Sequence, residues 1–360
     1  MRLAAMTALV LIFASGLAAP AVAERDTVKF YNWSGYIAPE TIESFQAATG
    51  AKITLDTYGE ADEAESRLMA RGTGYDLAVV SSESVSRLID AEAIQKIGLS
   101  TIPNAASIDQ NLQNFFLTSV PQAEGYAVPY LWGTTGVVYD LDAVAERLPN
   151  APLDSWALIF DPKNAEKLAG CGITIVDSVE EVVSAALAYL GRDPNSNSEE
   201  DIEAAFAALA AIAPYVRGFD ANQYDDLMDR NVCAAVAWSS DALVPQLEQD
   251  SPRYRYSEPK EGTNLWVDLF VVPSDAGNLE ASRRLMDFIL RPDMLALTAR
   301  YTNAFTSLPE ASTQFSDPGL GGSPVAKSGI VPDPFYFIKP RGGAEKQELD
   351  RRWRMLQIGL

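Results

Sequence analysis

Residues 28–40 read Val-Lys-Phe-Tyr-Asn-Trp-Ser-Gly-Tyr-Ile-Ala-Pro-Glu, and this stretch decides the fold. Apolar residues alternate at Val28 and Phe30, which predicts a short strand. A loop with Trp33 and Tyr36 follows, and Pro39 is suited to the first turn of a helix. In open α/β sheets, ligands bind beyond the carboxyl ends of strands. The two aromatics either form a ligand wall or pack inside the protein beside the first strand.

The same alternation of strand and helix continues along the chain. A helix over 39–49 is stopped by Gly50, and strands are predicted at 52–57 and 75–80, with a helix over 60–70 between them. This spacing indicates parallel crossovers, so the segment that follows the third strand reaches the same edge as Trp33. That segment reads Ser81-Ser82-Glu83-Ser84.

The second half of the chain repeats this mixed pattern after a long extended segment over 126–140, in which Gly133 to Gly136 mark a hinge between two lobes. Further strands are predicted at 172–176, 231–238 and 265–272, and helices at 179–190, 201–212, 283–290, 294–301 and 344–355. Residues 317–340 are rich in Gly and Pro and are predicted to wrap the surface as irregular chain.

The first 23 residues have the pattern of a secretory signal peptide. Arg2 precedes an apolar run over 8–17, and Ala21-Val22-Ala23 supplies a small-residue cleavage site, with cleavage expected after Ala23. The apolar run is too short to span a bilayer, and no cysteine stands at the cleavage site to carry a lipid. We therefore expect an exported periplasmic protein that is not embedded in the membrane.

Composition excludes several classes of function. A net charge of −21 makes nucleic acid a poor partner. The absence of histidine removes Ser-His-Asp and Cys-His catalysis and most zinc sites. A chain of 360 residues exceeds one compact core, so two lobes are expected. The two cysteines, Cys171 and Cys233, would face an oxidising compartment, which favours a disulfide over two free buried thiols.

Aromatic, acidic and hydroxyl residues recur at the ends of predicted strands and at helix starts after them. They are Trp33, Tyr36, Ser82, Glu180, Glu181, Trp238, Asp241, Trp266 and Asp268. An ammonium group removed from water needs acceptors for its N–H donors, and alkyl chains need flat apolar walls, which aromatic faces provide together with a cation–π attraction. The set therefore favours an elongated organic cation as ligand.

Each member of this set also has a purely structural interpretation. A tryptophan at a strand end often serves packing alone. Glu180 and Glu181 lie in a first helical turn, where the helix dipole favours acidic residues. Asp241 could be the N-cap of a segment that begins at Ala242. Their joint placement carries the prediction.

The chain resembles the polyamine-binding proteins of bacterial ABC importers, especially the putrescine-preferring branch, over nearly its whole length after residue 23. The resemblance lies in Asn32-Trp33-Ser34-Gly35-Tyr36-Ile37-Ala38-Pro39, Trp132-Gly133-Thr134-Thr135-Gly136, Cys171-Gly172, Ala237-Trp238-Ser239-Ser240-Asp241 and Leu290-Arg291-Pro292-Asp293. It implies a disulfide between Cys171 and Cys233.

The resemblance also implies a set of residues that line the ligand cleft, with Asp268 as the principal amine anchor. The set is Trp33, Ser34, Tyr36, Ser82, Glu181, Trp238, Asp241, Trp266 and Asp268. The chain departs from the family at Gly35, where relatives carry Asp or Glu, and at Glu83, where they usually have a small residue. In the family, a tyrosine towards the end of the sequence also lines the cleft. By register it corresponds here to Asn303, and Tyr301 lies nearby in the sequence.

These features predict an α/β protein with the two-lobed periplasmic-binding-protein fold of type II, with mixed sheets flanked by helices and a ligand cleft between the lobes. The lobes are predicted over 24–135 with 267–306, and over 136–266 with 307–360. We expect a monomer that binds a putrescine-like polyamine and delivers it to the permease subunits of an ABC importer, without catalysis, cofactor or metal. The alternatives are a sensor or binder of another organic cation or amino-acid derivative on the same fold, and a secreted hydrolase with Ser82 as nucleophile.

Overall fold

The computed structural model describes residues 27–242, 253–313 and 335–359. The predicted signal peptide and its cleavage site lie outside these residues. The strands are β1 Thr27–Trp33, β2 Lys52–Tyr58, β3 Leu77–Ser81, β4 Ile94–Gln95, β5 Ala127–Asp140, β6 Ile173–Val176, β7 Gly218–Asp220, β8 Ala234–Trp238, β9 Tyr254–Ser257, β10 Leu265–Pro273 and β11 Phe305–Thr306.

The α-helices alternate with these strands through most of the chain. They are α1 Pro39–Thr49, α2 Ala61–Met69, α3 Ser82–Asp90, α4 Gln110–Ser119, α5 Leu141–Arg147, α6 Ala157–Phe160, α7 Pro162–Leu168, α8 Val179–Tyr189, α9 Glu199–Ile212, α10 Gln223–Met228, α11 Leu279–Ile289, α12 Pro292–Thr302, α13 Pro309–Thr313 and α14 Gly343–Gln357. Residues 239–242 are also helical.

The strands form two mixed sheets that share one long strand. The first sheet has the order β2-β1-β3-β10-β5, with β1 parallel to β2 and β3, and β10 antiparallel to β3 and β5. The second sheet has the order β5-β8-β6-β7, with β6 parallel to both of its neighbours. We call the parts built on these sheets the first lobe and the second lobe.

Strand β5 passes from one sheet to the other at its centre. Thr134 pairs with Leu265 of β10 in the first sheet, and Thr135 pairs with Trp238 of β8 in the second. A Cβ at Gly133 would lie 2.1 Å from the Trp266 ring, and a Cβ at Gly136 would lie 2.4 Å from the Ser257 carbonyl oxygen. The crossing therefore requires glycine at both positions.

Helices cover both faces of the first sheet, and a separate core supports the second. Strands β3 and β10 are almost wholly buried, as expected for continuous apolar strands. One face of the first sheet packs around Phe30 and Phe270, and the other around Tyr31 and Val80. In the second lobe, α14 contributes Trp353 to the core on which α8 packs. The predicted fold class of mixed sheets flanked by helices is confirmed.

Most predicted elements occur within a few residues of their expected bounds. Helix α1 begins with Pro39 and ends before Gly50, which has a φ of 73° as a left-handed C-terminal stop. Helix α9 begins two residues before the predicted start, because the Ser198 hydroxyl accepts a hydrogen bond from the Asp201 amide.

Two expectations differ from the structure. Asp241 is not an N-cap, because it lies inside the helical residues 239–242 that follow β8 directly. The prediction of a surface tail over 317–340 falls partly outside the described residues. Within the described part, Phe337 and Ile338 are buried and Tyr336 forms a bridge to Asn264, so this segment packs against the body of the protein.

Cys171 and Cys233 form the predicted disulfide, with their Cα atoms 5.5 Å apart. Gly172 beside it has a φ of 97°, which favours glycine, and Cys233 donates its backbone amide to the Gly172 carbonyl oxygen. The bond ties the start of β6 to the start of β8 in the second lobe. The disulfide therefore helps to hold these two paired strands of the second sheet together.

Candidate ligand-binding site

A cavity of about 740 Å³ lies between the two lobes, at the edge where β1, β3, β6 and β8 end. Both lobes contribute to its wall, which contains Trp33, Ser34, Tyr36, Glu181, Trp238, Asp241, Trp266 and Asp268. Eight of the nine residues predicted for the site therefore line one cavity. Side chains from distant parts of the sequence meet here because the strands of each sheet end at this edge.

Asp268 is held in place by two aromatic side chains of the opening loop. Trp33 donates its indole N–H to Oδ1 at 3.2 Å, and Tyr36 donates its hydroxyl to Oδ2 at 2.6 Å. Asp268 lies within β10, opposite Ser81 at the end of β3, and a register shift in β10 follows it, between Asp268 and Leu269. Burial raises the pKa of Asp268 to about 7, the two hydrogen bonds oppose this rise, and the charge of Glu181 adds to it.

Glu181 occupies the matching position in the second lobe. It is 7% exposed and lies in the first turn of α8. Trp238 donates its indole N–H to Oε1 at 2.9 Å, Ser178 donates to the same oxygen at 3.3 Å, and Thr135 of β5 donates to Oε2. Burial raises the pKa of Glu181, and these hydrogen bonds oppose the rise. Each lobe thus presents one buried carboxylate that an indole orients.

Aromatic rings form the walls between these carboxylates. Trp33 packs on Tyr58 with ring centroids 4.5 Å apart. Trp238 contacts the apolar cores of both lobes, and Trp266 lies against Gly133 at the crossing of β5. These positions place flat apolar surfaces beside buried negative charge, which is the combination that an alkyl ammonium ion requires.

The remaining predicted residues differ in how they meet the cavity. Ser34 is exposed and lines it. Asp241 lines it as a half-buried residue, and burial raises its pKa to about 6. Ser82 is completely buried and does not line the cavity, although its neighbours Ser81 and Glu83 do.

The two adjacent glutamates at the start of α8 have different surroundings. Glu180 lies 3.8 Å from Arg87 of the first lobe and 3.8 Å from Arg341. Within the described part of the chain, neither Lys nor Arg forms an ion pair with Glu181. The helix dipole favours both side chains, but only Glu181 is left to meet a cationic ligand.

The departures from the family pattern also have defined places. Gly35 lines the cavity with a φ of 66°, and a Cβ built there meets no atom within 4 Å. Tyr301 and Asn303 both line the cavity; Tyr301 is half exposed, and Asn303 has a φ of 52°. Glu83 is buried and lines the cavity beside Ser84.

Sequence reasoning missed two supporting side chains. Thr135 donates a hydrogen bond to Glu181, and the ring of Tyr58 packs against Trp33. Tyr58 is the last residue of β2 and pairs with Trp33, the last residue of β1. Its place at a strand end was the signal that could have found it. Thr135 lies in the middle of a long strand, where the sequence gives no such signal.

Comparison with known proteins places this architecture in a family. The model of the bacterial extracellular solute-binding proteins matches residues 40–320. The chain belongs to this family. Like other members, this solute-binding protein has two lobes with a cleft between them, which is the type II fold predicted from the sequence.

Named relatives of this solute-binding protein bind polyamines. A putrescine/agmatine-binding protein of Pseudomonas aeruginosa is 38% identical over 285 residues, which cover 78% of this chain and 77% of the relative. The putrescine-binding periplasmic protein PotF of Escherichia coli is 36% identical over 307 residues, which cover 81% and 83%.

Solved structures share the fold. The substrate-binding protein PotD of a spermidine/putrescine ABC transporter from Streptococcus pneumoniae superposes with a TM-score of 0.75 at 21% identity. The superposition covers 93% of this chain and 99% of that one. At this identity, the similarity concerns the fold.

Proposed function

We propose that this solute-binding protein captures a putrescine-like polyamine in the cleft and delivers it to the permease subunits of an ABC importer. One observation carries the proposal: Asp268 and Glu181 are buried carboxylates on opposite lobes, each oriented by an indole N–H. Buried charges without an ion-pair partner are costly, so this pair favours a ligand that brings positive charge to both lobes.

A flexible diamine fits this geometry because it has two ammonium ends and an apolar chain between them. The ammonium groups would donate hydrogen bonds to the two carboxylates and balance their charge, while Trp33, Trp238 and Trp266 would enclose the methylene groups. The family membership and the printed names of the relatives support the same ligand class.

Closure of the lobes would be driven by these contacts. Asp268 belongs to the first lobe and Glu181 to the second, so only the closed cleft offers both carboxylates at once. A ligand shifts a conformational equilibrium by its difference in affinity for the two states. We propose that the first lobe comprises residues 24–135 and 267–306, and the second lobe residues 136–266 and 307–360. One boundary then lies inside β5, and the other two lie in or at the end of strands that pair with β5.

We also propose that the protein acts as a periplasmic monomer, is processed after Ala23, and catalyses nothing. The related proteins are solute-binding proteins of transport systems. A hydrolase with Ser82 as nucleophile finds no support, because the Ser82 side chain is fully buried away from the cavity wall. Among the described residues, no helix has both the length and the apolarity to cross a bilayer.

Native mass spectrometry of freshly purified protein and titration calorimetry with putrescine test the ligand. The expected results are a bound diamine, or saturable one-to-one binding of putrescine at micromolar or lower concentration. Agmatine and γ-aminobutyrate serve as comparison ligands with altered ends. A protein that binds γ-aminobutyrate and not putrescine would contradict the proposal, and so would a protein that binds neither diamine nor agmatine.

A further inference from the structure

A further buried carboxylate, that of Glu83, lies in the cleft with those of Asp268 and Glu181. Glu83 is the second residue of α3, directly after β3, and it lines the cavity. It is 8% exposed, and its Oε1 has no hydrogen-bond partner among the described residues. An unpaired buried carboxylate oxygen costs free energy in the absence of ligand.

The cation nearest along the helix is engaged elsewhere. Arg87 lies one turn after Glu83 on α3, but its guanidinium donates to both carboxylate oxygens of Glu65, at 2.7 and 2.8 Å. Arg87 also lies 3.8 Å from Glu180 of α8. No ion pair links Glu83 to an Arg or Lys of the described chain, whereas its neighbour Glu180 has two such cations.

The groups that face Glu83 are mostly negative. Glu181 and Glu180 on α8 and Asp268 on β10 act on it through their charges, and the charge of Glu83 in turn helps to raise the pKa of Arg87. Burial raises the pKa of Glu83 to about 8, and the charges of the neighbouring carboxylates add to that shift, while its own backbone amide opposes it. A bound cation would remove both the repulsion and the unpaired oxygen.

We propose that Glu83 is an additional ammonium-binding residue, whose carboxylate accepts a hydrogen bond from the polyamine in the closed cleft. This inference rests on the proposed function. Gly35 leaves the opening loop without a carboxylate at that position, and α3 supplies one to the same cavity.

Titration calorimetry of Glu83→Gln with putrescine at pH 7.5 tests the proposal. Glutamine keeps the size of the side chain but can neither carry charge nor release a proton. We expect the variant to bind putrescine at least tenfold more weakly. Measurements in phosphate and in Tris, which differ in ionisation enthalpy, count the protons released on binding. The count should fall by roughly three quarters of a proton in the variant, because an acid with a pKa of about 8 is about three quarters protonated at this pH.

Glu43→Gln provides the matched control, because Glu43 is exposed on α1 and the change in charge is the same. It should change affinity less than twofold. If Glu83→Gln fails to fold, as judged by its thermal transition without ligand, Glu83→Asp keeps the charge and should weaken binding less than tenfold but measurably.

Unchanged affinity and unchanged proton release in a folded Glu83→Gln protein would overturn the inference and leave the proposed function intact. Failure of the wild-type protein to bind putrescine would overturn both. A loss of affinity with unchanged proton release would support the ammonium contact and show that Glu83 is already ionised in the ligand-free cleft.

Discussion

At the scale of single residues, the cleft pairs its acids with neutral donors. Asp268 and Glu181 accept hydrogen bonds from indole and hydroxyl groups, whereas Glu180 and Glu65 pair with arginine. A carboxylate that already forms an ion pair has little to gain from a cationic ligand. The acids that pair with arginine therefore support the fold, whereas the acids without such a partner remain able to bind a cationic ligand.

Replacing Asp268 with Asn should remove most putrescine binding while the fold is kept. The amide preserves shape but loses a buried charge-assisted hydrogen bond, which is worth about 1.5–3 kcal/mol, or roughly tenfold or more in affinity. Calorimetry gives the affinity, and the thermal transition of the ligand-free variant checks the fold. Asp90→Asn is the control, since Asp90 is exposed at the end of α3. Affinity within twofold of wild type would contradict the assignment.

Gly35→Asp should tighten putrescine binding by roughly 1–2 kcal/mol, because the new carboxylate would meet an ammonium in the closed cleft. No atom obstructs a Cβ at this position, but its φ of 66° is unfavourable for Asp. We therefore expect a lower thermal midpoint for the ligand-free variant. The same change should restore part of the putrescine affinity that Glu83→Gln loses. If the double variant binds putrescine no more tightly than Glu83→Gln alone, a carboxylate at position 35 cannot replace the one at position 83.

The sequence predicts the anchors of the site better than the residues beside them. Trp33 ends β1, and Asp268 of β10 pairs with Ser81 at the end of β3, so the sheet itself places both at the cleft. Ser82 and Glu83 begin a helix in which successive side chains are turned by about 100°. Because α3 begins at Ser82, with no loop after β3, Glu83 reaches the cavity and Ser82 is buried. Sequence patterns locate helix starts too loosely to decide between two adjacent residues.

At the scale of elements, β5 is constrained most tightly where it leaves one sheet and enters the other. Gly133 accommodates the ring of Trp266, and Gly136 accommodates Ser257 and Tyr256 of β9. The extended segment and its glycines were predictable from the sequence. The reason for the glycines was not, because it depends on side chains more than 100 residues away.

Gly133→Ala should weaken both the fold and ligand binding. The added methyl group would overlap the Trp266 ring, and overpacking of this kind costs about 1–3 kcal/mol unless the ring moves into the cavity. Thermal unfolding and putrescine calorimetry measure the two effects. Gly170→Ala is the control, because a Cβ there meets no atom within 4 Å. A Gly133→Ala protein with wild-type stability and affinity would show that the ring relaxes without cost.

Removal of the disulfide should destabilise the protein without abolishing binding. The bond closes a loop across a sequence separation of 62 residues, which corresponds to about 4 kcal/mol in the chain-entropy model. Cys171→Ala with Cys233→Ala should therefore lower the thermal midpoint, while putrescine affinity stays within a few-fold. In exported wild-type protein, a thiol assay under denaturing, non-reducing conditions should find no free thiol; two would contradict the bond.

At the scale of the whole molecule, the two lobes meet around a cluster of acids whose pKa values are raised. The pKa values of Asp268, Glu83 and Asp241 are about 7, 8 and 6, whereas exposed carboxyl groups have a pKa of about 4. The folded protein therefore binds these protons more tightly than the unfolded chain does. Their contribution to the free energy of unfolding is complete below about pH 4 and is lost as pH rises through 6 to 8.

Ligand-free protein should accordingly unfold at a higher temperature at pH 5 than at pH 8, and putrescine should raise the midpoint more at pH 8. Both follow because ionised carboxylates destabilise the empty cleft and bind the ammonium groups. Differential scanning calorimetry at several pH values measures this. Combining Asp268→Asn with Glu83→Gln should flatten the dependence; an unaltered pH profile in that double variant would contradict the assignment to these groups.

The shared strand also has a consequence for the order in which the molecule can assemble. The second-sheet strands of the described chain come from one continuous part of the sequence, from the end of β5 to β9. The first sheet instead needs β10, which lies between β3 and β5 although it follows every strand of the second sheet in sequence. As the chain emerges amino terminus first, β1 to β3 must wait for residues 265–273 before their sheet can close. The sheet that begins the sequence can therefore close only after every described strand of the second sheet has been made.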